Sequence, residues 1–421
     1  MQSSSRASGQ NDSAHSNIVP WITGGALPLG YARLPVELIK ETAVSANPRV
    51  LMDATAIPAN RAGVGRYVEE IVRELARRDY PLAVVCQERD AERFSELAPG
   101  AQIVAAPRAI ESTARRFAWE QSGLPALARK LKVDLIHSPH YTMPLASPVP
   151  VVVTLHDATF FSDPAVHVPA KRHFFRSWTA LSLRRAAVGS VVSQASADEL
   201  VTWARADRRR LVVAPLGVDH ERFRPPSANE VLAAKAHLGL DGRRYVAFLA
   251  TLEPRKNVPA LIRGFTAAVQ GMTDAPALVL AGAPGWDTQV EPTLAAVPDG
   301  VTVLKPGYLP LDLLPGYLGG SEFVCYPSLG EGFGLPVLEA MASGAAVLTT
   351  RKLSLPEVGG DAVAYCGTSD DEIAAGIADL LADSKRCADL RQRGIERAAT
   401  FTWARTVDGC VEAYRRAASS R

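Results

Sequence analysis

From Arg49 onward, short apolar runs alternate with stretches of helical period, and this alternation organises the chain. Apolar runs at 49–54, 82–86, 134–137, 149–155, 189–193 and 211–214 predict strands. Residues 65–77 place their charges on one side at helical spacing and predict an amphipathic helix. Strands alternating with helices in this way form parallel sheets covered by helices. The stretch 215–226, PLGVDHERFRPP, is rich in proline and glycine and interrupts the pattern as a hinge would. The alternation then restarts, with strands expected at 245–250, 277–281, 301–304, 323–326 and 346–349. Residues 402–418 have helical period and are expected to pack back across the hinge.

Two such series predict an α/β protein with two Rossmann-like domains facing each other across a cleft. At 421 residues the chain also exceeds what one hydrophobic core usually spans. The expected divisions are an N-terminal extension at 1–48, a first domain at 49–220, a second at 221–400 and a closing helix at 401–421. Ligands of open parallel sheets sit at the carboxyl ends of strands, so the residues there are the candidates for chemistry.

Composition narrows the function by exclusion. Basic residues number 46 against 44 acidic, a net charge of +2 that is too even to argue by itself for a nucleic-acid partner, and none is expected. The five cysteines contain no CxxC pair, so neither a disulfide framework nor a metal spacing follows, and a reducing cytoplasm is the simplest setting. The first 17 residues are polar, are expected to be disordered, and lack the apolar core of a signal peptide. No apolar run reaches transmembrane length.

The segment 328–344, SLGEGFGLPVLEAMASG, carries the most chemical information. Gly332 and Gly334 permit positive φ and close backbone approach. Pro336 suits the first turn of a helix, and Gly344 suits the residue just past its end. Free N–H groups at such a helix start favour an anion. Glu331 belongs in the loop before the helix, with Glu339 about one turn inside it, and carboxylates there accept hydrogen bonds from sugar hydroxyls. In TLEPRKNVPALIRGF, Arg255 and Lys256 follow a strand and precede a helix that Asn257 can cap, which suits a diphosphate. The apolar run VVVTL ends in His156 and Asp157, where a histidine can bond a substrate hydroxyl or shuttle a proton.

Weaker signals accompany these. NRAGVGRY places Gly63, Gly65 and Arg66 where they can approach a phosphate or an acceptor. Val68 stands where the dinucleotide fingerprint needs its third glycine, which argues against a dehydrogenase. His137 and His140 are three apart, but Pro139 breaks the helical geometry that would align them on a metal. Loops at Trp286 and Tyr308 can flank a nucleobase. Residues 170–187 mix five cations with Phe174, Phe175 and Trp178. That composition suits an anionic membrane surface, although an aromatic face packed into its own domain is the commoner arrangement.

Together these residues resemble the retaining glycosyltransferases of family 4, which have the GT-B fold. The resemblance spans residue 49 to the end and rests chiefly on EGFGLPVLEAMASG and EPRKN, with the HD pair and GVGRY beside them. It implies a catalytic set of His156, Arg255, Lys256 and Glu331. Arg255 and Lys256 would bind the donor diphosphate, Glu339 the ribose hydroxyls, and Glu331, Phe333 and Gly334 the donor sugar. The N–H of Leu335 would reach the phosphate, Tyr308 would lie by the nucleotide, His156 would contact the sugar near the reacting centre, and Gly65 would face phosphate or acceptor. The resemblance implies no divalent metal and no cofactor beyond the nucleotide-sugar donor. The run from VTLHDATFF onward most resembles bacterial mannosyltransferases of cell-surface glycans. It makes GDP-mannose the first expectation for the donor, a glycan or lipid-linked sugar the acceptor, and the cytoplasm the location, with peripheral contact at the inner membrane face. The competing expectations are a GT-B epimerase or sugar synthase, and a non-catalytic sugar-nucleotide-binding scaffold.

Overall fold

The predicted strands separate into two parallel sheets joined end to end along the chain. The computed structural model describes residues 47–58, 61, 63–240 and 242–420. Residues 1–46 of the N-terminal extension, including the first 17 expected to be disordered, and Asn60 at the head of the glycine motif, lie outside the described residues. The first sheet contains β1 (Val50–Asp53), β2 (Leu82–Cys86), β3 (Gln102–Ala105), β4 (Leu135–Ser138), β5 (Val151–Leu155), β6 (Val188–Val191) and β7 (Leu211–Val213). The second contains β8 (Tyr245–Leu249), β9 (Ala277–Ala281), β10 (Val303–Gly307), β11 (Val324–Tyr326), β12 (Val347–Thr350) and β13 (Ala364–Cys366).

Their spatial orders are β3-β2-β1-β4-β5-β6-β7 and β10-β9-β8-β11-β12-β13. Each order reverses direction once, between β1 and β4 and between β8 and β11. Loops leaving two such strands diverge to opposite faces and open a crevice at the carboxyl edge. The strands β1, β2, β5 and β9 are buried along their whole length, which is why β2 and β9 read as unbroken apolar runs and β1 and β5 as apolar runs broken only by Asp53 and Thr154. β3 and β13 were not predicted. Both are short edge strands with partly exposed residues, and QIVA and AYC are apolar but too short and alanine-rich to stand out as the central runs do. The third edge strand with exposed positions, β10, carries Lys305 and Pro306, residues suited to an edge.

The helix Trp403–Ala418 returns to the first sheet, as its period predicted. Tyr414 anchors it there, with its hydroxyl 2.8 Å from His137 Nδ1, while His137 Nε2 lies 2.7 Å from Thr154 Oγ1. His137 is thus a fully partnered core residue, and burial pushes its pKa down to about 3, leaving a neutral ring. The hinge segment runs alongside the chain entering this helix. Val218 N–H donates to Phe401 O at 3.3 Å, and Thr406 Oγ1 donates to Pro215 O at 2.8 Å.

Gly217 makes that contact close: a Cβ there would stand 2.2 Å from Trp403 N and 2.4 Å from Thr402 C. Gly217→Ala must push two backbone segments apart, a cost of about 1–3 kcal/mol. The expected result is a lower denaturant midpoint with the native far-ultraviolet spectrum retained.

Candidate functional site

Adjacency of β8 and β11 brings the two anion-binding motifs together. After β8 the chain makes a single 3-10 turn, Pro254–Lys256, before the helix Val258–Val269. After β11 it makes the glycine turn before the helix Leu335–Ala342. Leu329 N–H donates to Arg255 O at 2.8 Å, with Ser328 Oγ 3.0 Å from the same oxygen, and this ties the two loops into one unit.

At the centre of that unit sits Glu331. Lys256 Nζ donates to its Oε1 at 2.6 Å, Arg255 Nη1 donates to its Oε2, and Ser328 Oγ and Tyr326 hydroxyl add bonds to Oε1 at 2.6 and 3.0 Å. Glu253 completes the cluster by accepting from Arg255 Nη2 at 2.7 Å. Lys256 and Glu331 are 7% and 6% exposed, so the charges meet with little water between them. Burial alone would raise the Glu331 pKa; Arg255 and then Lys256 outweigh it and hold the carboxyl at about 2. Burial and then the neighbouring Arg255 draw the Lys256 ammonium below its usual range, with Glu331 opposing them.

The second carboxylate has a different partner. Glu339, 2% exposed, pairs with Arg66 from the first half of the chain. Burial pushes its pKa up, and Arg66 partly offsets this. The expected glycine loop is helical from Gly63: Gly65 lies in the first turn of the helix Gly63–Arg77 and packs back on Arg61 and Ile57, where a Cβ would meet atoms at 3.1 and 3.3 Å. Arg66, in the same helical turn, is the residue of that motif that reaches across to Glu339. The crevice lined by Arg66, Asp219, Leu335, Glu339 and Trp403 holds about 80 Å³. Ordinary ligand pockets hold about 300–1,000 Å³.

The glycine turn meets the end of β5. A Cβ on Gly332 would lie 1.9 Å from His156 O, so glycine there serves close approach; positive φ belongs to Gly334, at +105°. Gly344 has φ +72° just past the end of the helix, and Pro336 lies in its first turn. His156 Nε2 lies 2.8 Å from Pro139 O, so that nitrogen carries the proton and donates, leaving Nδ1 as an acceptor. Burial lowers its pKa, which disfavours proton shuttling as a cation and suits a neutral hydroxyl-binding ring.

Other expected residues take different places. The ring of Phe333 is buried against Phe401, centroids 6.0 Å apart, so what the turn presents at this position is backbone. Asn257 stands at the helix start with φ +60° but does not cap it; its Nδ2 donates to Thr368 O at 2.8 Å. Tyr308 is 64% exposed beyond β10, two strands out from β8, and does not join the cluster. Trp286 is engaged by Val166 O at 3.3 Å and by Lys171, 5.4 Å from its ring centroid. Phe175 and Trp178 pack inward, Trp178 4.7 Å from Phe117, while Phe174 is 41% exposed. Among the described residues no group of three or more His, Cys, Asp or Glu is placed to hold a metal ion.

Comparison with known proteins follows this geometry. Residues 61–222 match Glycosyltransferase Family 4, and residues 233–397 match Glycosyl transferases group 1. The O-antigen chain mannosyltransferase B of Escherichia coli is 30% identical, over 72% of this chain and 77% of that one. This chain belongs to glycosyltransferase family 4. Within the family, the D-inositol 3-phosphate glycosyltransferase of Segniliparus rotundus is 32% identical over 53% of this chain and 51% of that one. The fold is GT-B: the Anabaena protein HepE, solved in complex with UDP and glucose, superposes with a TM-score of 0.68 at 16% identity, covering 87% of this chain and 98% of that one.

Sequence reasoning named the charged residues of the transferase but not what holds them. Glu253, Tyr326 and Ser328 around the ion cluster were missed, although each flanks a named residue. So were Ser193, Ser196 and Glu357, whose only local signal is a serine at a strand end before a helix.

Glu331→Gln leaves buried Lys256 and half-buried Arg255 without their shared anion, an expected loss of about 3–5 kcal/mol at neutral pH. Because the folded pKa lies below the ordinary 4.5, the stabilisation is full above that value and is lost as pH falls through about 2. Denaturation curves of the native and Gln proteins should therefore converge between these pH values; a constant gap would contradict the assignment.

Proposed function

We propose that this transferase moves mannose from GDP-mannose to a glycan or lipid-linked sugar, with retention of anomeric configuration and without a metal ion. The observation that carries this reading is the pair of half-buried Arg255 and buried Lys256 at the switch point of the second sheet, beside the start of helix Leu335–Ala342. Mannose rests on likeness to the O-antigen chain mannosyltransferase B of Escherichia coli, and the guanine base only on the resemblance of the sequence to bacterial mannosyltransferases.

Breaking a glycosyl–phosphate bond builds negative charge on the leaving diphosphate. Arg255, Lys256 and the N–H groups at the helix start, including that of Leu335, are fixed donors for that charge. Glu339 takes the ribose hydroxyls in exchange for Arg66, and Glu331 with the Phe333–Gly334 backbone takes the sugar. His156 Nδ1 accepts a bond from a sugar hydroxyl. The bond from the anomeric carbon to the phosphate oxygen breaks while the acceptor oxygen bonds to the same face. The acceptor proton passes to the departing phosphate oxygen, so no separate base is required.

The acceptor has a suitable approach in the first half. A groove of about 710 Å³ is lined by Thr55, Gln87, Arg89, Arg116, His140 and Phe174. Gln87 Oε1 is buried there without a hydrogen-bond partner and suits a hydroxyl, while Arg89 and Arg116 suit a phosphate. His140 leads inward, its ring centroid 6.1 Å from that of His156. No helix among the described residues is long and apolar enough to cross a membrane. A cytoplasmic enzyme touching the inner membrane face through Lys171, Arg172 and Arg176 fits such an acceptor.

Arg255→Ala is expected to lower kcat about 100- to 1,000-fold while circular dichroism stays native. An unchanged rate would refute the diphosphate site. In thermal-shift titrations GDP-mannose should raise the melting temperature more than UDP- or ADP-sugars. A larger shift with either of those overturns the base assignment, and no shift with any donor overturns the nucleotide-sugar reading itself.

A further inference from the structure

The glycine turn is gripped from both sides of the cleft. Within its own half, Ser354 Oγ donates to Glu331 O at 2.7 Å and to Phe333 O at 2.8 Å. The carbonyl between them, Gly332 O, is taken by the other half: Ser193 Oγ donates to it at 2.6 Å and Ser196 Oγ at 3.1 Å. Ser193 is also the cap of helix Gln194–Ala204, accepting from Ser196 N at 3.0 Å. The first two N–H groups of that helix, at Gln194 and Ala195, donate to the two carboxylate oxygens of Glu357 at 2.8 and 2.5 Å. Glu357 stands three residues after Ser354 on the short helix Leu355–Gly359. An ionised carboxylate on helix N–H groups makes charge-assisted bonds and is favoured by the helix dipole.

We infer that Ser193, Ser196 and Glu357 form a closing clamp that seats the glycine turn against His156. Three successive carbonyls of the turn are thereby fixed, two from one half and one from the other, so its full constraint exists only when the halves are shut. The crevice beside Glu339 is far smaller than a nucleotide pocket, so the clamp must release and re-form as donor exchanges. Its bonds to Glu357 lie at the surface, where water can replace them, while the two serines are buried. These are positioning residues: none touches the reacting atoms. Their consequence for turnover rests on the transfer reading above, whereas their effect on closure does not.

The test compares wild type with Ser193→Ala/Ser196→Ala and with Glu357→Gln, all in the full chain. A misplaced turn should lower the kcat for transfer about 10- to 100-fold. Donor KM should change little, the share of donor lost to hydrolysis should rise, and small-angle scattering should give a larger radius of gyration. Glu357→Gln lies outside the capped helix and decides the matter if the double variant does not fold. Unchanged kcat and scattering, or a raised KM at constant kcat, would overturn the clamp. If wild type transfers no sugar, the transfer reading fails and scattering alone still decides closure.

Discussion

Two cations and a carboxylate share ground that water barely reaches, and the arrangement of the second half follows from that. An unpaired ammonium or guanidinium inside a protein is costly, whereas one matched in charge and hydrogen bonds is tolerated. Glu331 provides the match, but only because β8 and β11 are neighbours and deliver Lys256 and the glycine turn to the same edge. Tyr326 and Ser328 fill the remaining positions on the Glu331 oxygen, and Arg255 O binds the turn's first residues. The ion cluster is thus also the structural tie between the two loops.

The first half meets this centre through a small number of directed contacts. Arg66 reaches Glu339, Gly332 touches the end of β5, and Trp286 donates to Val166. The hinge beneath is rigid where Gly217 lies against Trp403 and where Tyr414 is fixed on His137. A tight crossing below and polar contacts above describe two bodies that can part at the mouth without losing their join. Polar contacts suit that task because water can replace each one during opening.

Most of the architecture was legible because the strands around each switch point are buried on both faces, and continuous apolar runs are hard to mistake in such numbers. β3 and β13 escaped although both are largely apolar, since edge runs of four and three residues that include alanine are weak strand signals. At the site, local rules located Pro336, Gly344 and Gly334 correctly, each being a demand of the backbone at that position. Pairings across long separations were not legible: Glu339 to Arg66 spans 273 residues and Ser193 to Gly332 spans 139. Phe333 is the instructive case. Its neighbours marked it as ligand-facing, yet an aromatic ring beside a glycine turn found better burial against Phe401 than at the cleft. Asn257 likewise had the right type and place for a cap, but a carbonyl 111 residues away took its amide.

Charge balance gives the cluster its consequence for the proposed chemistry. Arg255 and Lys256 stand against Glu253 and Glu331, so the four formal charges already cancel. An entering diphosphate adds negative charge that this group can accept only if a carboxylate gives up its hold on the cations. Protonation is not the route, since Glu331 stays ionised down to about pH 2. Movement is: a turn of its side chain away from Arg255 and Lys256 trades two ion pairs for hydrogen bonds from sugar hydroxyls. The same carboxylate would then balance the buried cations before donor arrives and hold the sugar after it, so that exchange of one anion for another sets the reacting group in place. Glu339 follows the same logic with Arg66, one exchange for each end of the donor.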